Sequence, residues 1–93
     1  MKNKYELERE IEESLNQEKL YVDYVTIDDS RKTYPLPVLI IKISGDWKHE
    51  HLRLDYSLAE QGYVTLGKEI TEESDGDWYT AKHIYYKEGL ICG

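Results

Sequence analysis

Apolar positions along this chain follow two periods, one helical and one that of a strand. Leu7, Ile11 and Leu15 recur every four residues among Glu, Lys, Arg and Gln, which predicts a surface helix over residues 3–18 with a narrow apolar stripe. LYVDYVTID, residues 20–28, is β-branched and aromatic and predicts a strand ending at Asp28-Asp29-Ser30. SRKTYPLP then reads as a loop, since Pro35 and Pro37 cannot donate to a ladder. VLIIKIS, residues 38–44, is nearly all apolar, as a central strand covered on both faces would be. Asp46 is placed as the N-cap of a second helix reaching about Gln61, with Gly62 as its C′ residue. YVTLGKEIT, residues 63–71, and WYTAKHIYYK, residues 78–87, predict two further strands joined by EESDGD, in which Asp75-Gly76 is a hairpin signal.

The predicted order is αββαββ, an α+β chain whose elements are a cyclic permutation of the ferredoxin-like plan. That plan gives one four-stranded antiparallel sheet with two helices on one face, over a single domain spanning residues 1–93. Its central strands would be residues 38–44 and 78–87, the most apolar and aromatic of the four. The other two carry Asp23, Lys68 and Glu69, as edge strands do. Two separate αββ units packed together are the alternative, and Ser14-Leu15 before Tyr21-Val22 echoes Ser57-Leu58 before Tyr63-Val64.

Composition narrows the partners more than the fold. The 19 acids outnumber the 12 Lys and Arg for a formal charge of −7, which opposes binding to phosphate backbones and anionic lipid. Basic proteins and basic channels stay open as partners, while direct nucleic-acid binding and membrane attachment are not expected. Cys92 has no partner cysteine, so neither a disulfide nor a cysteine zinc site is available. Together with an N-terminal stretch that lacks an apolar h-region, this predicts a cytoplasmic protein.

The densest chemistry lies in GDWKHEHLRLDY, residues 45–56. On a helix, residues two apart point in nearly opposite directions, so His49 and His51 cannot share an ion. The useful spacing is i, i+4, which puts His51 beside Asp55 and His49 beside Arg53. Around the wheel, Leu52, Tyr56 and Ala59 form one apolar flank and Trp47, Leu54 and Leu58 a second, with His51 and Asp55 between them. In the last strand Tyr79, Ala81, His83 and Tyr85 share a face, which Ala81 suits for lying under a helix, and so His83 is expected to meet His51 and Asp55. These three are the candidate buried polar cluster. A satisfied hydrogen-bond network fixing helix on sheet is the favoured reading, ahead of a metal or acid–base site.

The opposite sheet face would carry Trp78, Ile84, Tyr86, Val38 and Ile40. Such a patch is interface-like, and with Trp47 these are the interaction candidates. Glu72, Glu73, Asp75 and Asp77 read as a solvated turn, since they lack the EF-hand spacing. Tyr34 with Arg31-Lys32 marks an exposed loop. No phosphate loop, GxSxG elbow or cysteine nucleophile with a base is present, so no catalytic residue and no cofactor are expected.

GDWKHEHLRLDY and the later TEESDGDWYTAKHIYYK resemble small proteins without assigned activity carried by mobile elements and prophages of Gram-positive gut bacteria, over residues 44–87. The resemblance implies an accessory role on a mobile element and transfers no site residue. In that role, the resemblance implies, some small acidic proteins block host defence proteins by occupying nucleic-acid channels. The expected function is a non-enzymatic acidic protein-interaction module, dimeric through the outer sheet face. A nucleic-acid mimic that inhibits a defence nuclease is the alternative, and a metal or acid–base site at His51, Asp55 and His83 the second.

Overall fold

The computed structural model describes residues 3–74 and 76–90. Its elements run α1 (Lys4–Gln17), β1 (Val22–Asp28), β2 (Val38–Asp46), a π turn (Trp47–His51), α2 (Leu52–Glu60), β3 (Val64–Glu73) and β4 (Trp78–Tyr86). The strands form one antiparallel sheet in the order β1-β2-β4-β3, so the two apolar strands are central as the permuted plan requires. Asp75, half of the expected hairpin signal, and Cys92 lie outside the described residues. Among those described, no helix is long and apolar enough to cross a membrane.

Alternation along β2 and β4 decides the layers. Leu39, Ile41 and Ile43 pair with Tyr85, His83 and Ala81 across the ladder, and all six are buried on the face that carries the helices. Ile11 and Leu15 of α1 and Leu54 and Leu58 of α2 close over them in one apolar cluster. Each such side chain contributes about 1.5–3 kcal/mol when fully buried. The cluster is therefore the main source of stability.

Both helices end the same way. After α1, Lys19 N–H bonds the Asn16 carbonyl and Leu20 N–H the Leu15 carbonyl. After α2, Gly62 N–H bonds the Ala59 carbonyl and Tyr63 N–H the Leu58 carbonyl. These are Schellman motifs, and they explain the echo between the two halves. They also explain why Leu20, Tyr21 and Tyr63 fall outside the strands that their composition suggested: residues 20 and 63 complete helix caps. The C′ position needs a left-handed backbone, which Gly62 adopts at φ 92° and Lys19 at φ 64°.

The two sheet edges differ. Along β1, the Ile27 N–H faces away from β2 and is taken by Glu8 Oε2 of α1 at 2.7 Å, so the helix side chain occupies that edge. Along β3 all ten residues are exposed. Two bulges, between Thr65 and Gly67 and between Ile70 and Glu72, interrupt its pairing with β4.

The two C′ positions make opposite predictions. Lys19→Gly should raise stability by up to about 1 kcal/mol, since glycine removes the Cβ penalty of the left-handed backbone, and Gly62→Ala should lower it by about as much. Urea unfolding of the two variants against the parent checks the sign of each.

Candidate functional site: a buried histidine pair

The site starts at the end of β2. Gly45 lies under the Glu50 side chain so closely that a Cβ there would stand 2.6 Å from Glu50 Cγ. From that position Glu50 Oε2 accepts the Asp46 N–H at 2.8 Å, while Asp46 Oδ1 accepts the N–H groups of Lys48 and His49 at 2.8 and 3.0 Å. This is a capping box with one residue too many between its members. The extra residue is absorbed by the π turn, closed by the Leu52 N–H bonding the Trp47 carbonyl five residues back. Bonds from the His49 and Lys48 amides hold the Asp46 carboxyl below its ordinary range, against a smaller opposing effect of burial.

The π turn changes the phase of everything before Leu52. Trp47, expected to share the flank of Leu54 and Leu58, is instead 48% exposed, because a five-residue closure breaks the 3.6-residue period that put it there. His49 is exposed as well, and His51 comes down onto β4. The helix predicted from Asp46 to about Gln61 therefore has a different first turn and the expected cap.

At the sheet, the His51 ring stacks on Tyr79 with centroids 3.9 Å apart, and its Nε2 lies 2.9 Å from the Tyr79 carbonyl. Its Nδ1 is 2.8 Å from His83 Nε2. Asp55 Oδ1 is 3.7 Å from His83 Nδ1 and accepts the Tyr85 hydroxyl at 2.6 Å. The protons follow from the acceptors. A carbonyl can only accept, so His51 carries its proton on Nε2 and, when neutral, offers a bare Nδ1. His83 must then donate from Nε2, which leaves its Nδ1 unprotonated toward Asp55 and explains a separation longer than a hydrogen bond. Asp55 is not bonded to His51, the i, i+4 partner expected for it; it takes its proton donor from β4.

Burial lowers both imidazole pKa values. His83 is pushed down to about 4 mainly by burial, with His51 and Lys68 acting the same way and Asp55 opposing. His51 is lowered by burial and Lys68, against the Tyr79 carbonyl, which favours its charged form. The Tyr85 phenol is held above its ordinary value by burial and by the bond to Asp55. Both rings are 1% exposed and neutral near pH 7, and no buried side-chain nitrogen or oxygen among the described residues lacks a partner. The histidine pair is buried, Asp55 at its rim is partly exposed, and the bonds join α2 to the sheet.

No group of three metal-ligating side chains is gathered among the described residues, and the two imidazoles bond each other across the space an ion would need. No protein-family model, curated protein or solved structure matches the chain.

The outer sheet face differs from the expected apolar patch. Val38 and Ile84 are 1% and 6% exposed, Ile40 and Tyr86 are half-buried, and of the strand residues expected there only Trp78 is open, at 49%. Val38 and Ile84 lie in the two central strands, where Ile84 sits opposite Ile40 and Val38 opposite Asp28. Lys42 and Lys82 oppose each other in the middle of that face, so it is not continuously apolar. Tyr34 is half-buried, and Arg31 is exposed at a cleft of about 80 Å³ that it shares with Leu36, Pro37, Tyr86 and Leu90. The Tyr79 carbonyl, the Tyr85 hydroxyl and Glu50 were not singled out from sequence. The signal for Tyr85 was its place on one strand face, two residues from His83.

Stability should fall as pH falls from about 6.5, where an unfolded histidine titrates, to about 4, where His83 titrates in the fold. In that window the unfolded chain binds more protons than the folded one. Crossing that whole window lowers stability by about 3 kcal/mol through His83, and His51, lowered as well, acts in the same direction. Urea unfolding at pH 7.5, 5.5 and 4.5 measures the slope. His83→Gln, whose amide can still donate to His51 without titrating, should flatten most of it; an unchanged slope in that variant would assign the effect to other groups.

Proposed function

We propose that the protein is a non-enzymatic, acidic interaction module that binds a protein partner with the side built from the π turn, α2, β3 and the start of β4. The supporting observation is where its exposed large apolar side chains lie. Of nine such residues among those described, six belong to this part of the chain: Trp47, Tyr56, Val64, Leu66, Ile70 and Trp78. Monomeric surfaces scatter apolar residues singly, and tryptophan and tyrosine are enriched where partners dock. On α2, Arg53 and Ser57 point to Glu18 at the end of α1, so the opposite flank of Leu52 and Ala59, with Tyr56 beside it, is left on the β3 side.

The histidine cluster has the chemistry of a fold-specifying network in this reading. Its rings are buried under α2, and the His51–His83, His51–Tyr79 and Tyr85–Asp55 bonds join helix to sheet. The net charge of −7 suits a basic partner, whose approach it would accelerate.

Trp47→Ala, Tyr56→Ala and Trp78→Ala combined should leave the fold intact at a cost of about 2–4 kcal/mol, since the two tryptophans are half exposed and Tyr56 63% exposed. The same variant should lose partner proteins that the parent retains in affinity capture from its native cells. Retention of the same proteins at the same yield would overturn the proposal.

A further inference from the structure

Resting on that interaction reading and narrowing it, we infer that the free edge of β3 is a docking strand for an extended, cationic segment of another protein, bound by strand addition. The first observation is the contrast between the two edges. The β1 edge is occupied by Glu8, which takes the outward Ile27 N–H, whereas all ten residues of β3 are exposed and its second side has no strand. An open edge presents backbone donors and acceptors that a fifth strand can pair. A chain that blocks one edge with a helix side chain leaves the other available.

The second observation is how charge is divided between the faces of β3. Opposite residues in an antiparallel ladder point to the same side, so Glu69 and Glu72, opposite Lys82 and Thr80, lie on the outer face. Lys68 and Ile70, opposite His83 and Ala81, lie on the helix side. Lys68 is already engaged, donating to the Tyr79 hydroxyl at 2.6 Å. Glu69, Glu72 and Glu73 make no side-chain hydrogen bond or ion pair among the described residues. The strand therefore offers unpaired carboxylates on its outer face and an exposed isoleucine on its inner face. A complementary segment alternates, placing lysine or arginine beside Glu69 and Glu72 and an apolar side chain beside Ile70.

Charge also selects among occupants. A second copy pairing β3 with β3 would bring together two strands that each carry three glutamates and one lysine, on chains of −7 each. That repulsion opposes self-pairing, whereas a cationic segment relieves it.

The probe is a capped ten-residue peptide of alternating lysine and valine, with two controls: the glutamate–valine counterpart, and the lysine–valine peptide interrupted by central prolines. Binding to the full chain is followed by fluorescence anisotropy at low and physiological salt, and the site by amide hydrogen exchange. The lysine–valine peptide should bind and slow exchange of β3 amides at least tenfold while leaving β1 unchanged. Both controls should bind at least tenfold more weakly, as should the probe to a Glu69→Lys, Glu72→Lys variant. Absent binding, binding without β3 protection, equal binding of the proline-interrupted peptide, or a β3-paired homodimer of the chain alone would each overturn the inference. If the charge variant does not fold, the peptide controls on the unmodified chain still decide. Loss of partner capture in the Trp47, Tyr56 and Trp78 variant, combined with no β3 protection by the probe, would remove only the edge inference and leave the interaction reading standing.

Discussion

The bond between His51 Nδ1 and His83 Nε2 joins two elements 32 residues apart in the chain, and the placement of α2 depends on it. Each imidazole is buried: His51 bonds His83 and the Tyr79 carbonyl, and His83 bonds His51 with its other nitrogen facing Asp55. Only one proton fits between the rings. A proton on His51 Nδ1 would meet the His83 N–H head-on, which with burial keeps His51 neutral, while burial keeps His83 neutral against the pull of Asp55. A purely apolar contact would let α2 slide along β4. A directional bond does not.

The π turn serves that bond. Glu50 packs on Gly45 and reaches back to the Asp46 amide, and the turn accommodates the extra residue in between. The consequence is a division of one short stretch: His51 goes into the core while Trp47 and His49 go to the surface. Trp47 thereby joins the exposed apolar side chains of α2 and β3. One local irregularity supplies both a core anchor and a surface residue.

Most of the architecture was legible in residue patterns. The αββαββ order, the central position of the two apolar strands, the caps at Asp46 and Gly62 and the inward face of Tyr79, Ala81, His83 and Tyr85 all rest on short-range periodicity and on single-residue backbone preferences. The convergence of His51, Asp55 and His83 was legible for the same reason, since a helix wheel and a strand alternation each name a face. The partner of Asp55 was not, because i, i+4 spacing says who is near on one helix and nothing about a hydroxyl arriving from a strand. The outer face was also misjudged: alternation places Val38 and Ile84 outward, but whether an outward residue is exposed depends on side chains that the fold brings beside it from distant parts of the chain.

The sequence by itself determined which segments are helix and strand, where the helices stop, and which residues of each strand face the helices. These are consequences of repeat period, capping chemistry and glycine's access to left-handed backbone, all of which act within a few residues. The tertiary structure decided the phase of the second helix, the proton order through the histidine pair, and which sheet edge stays open. Each of those is set by groups distant in the chain: Tyr79 and His83 under His51, and Glu8 beside Ile27. No local pattern encodes them, because a directional hydrogen bond exists only once the fold has brought its two ends together.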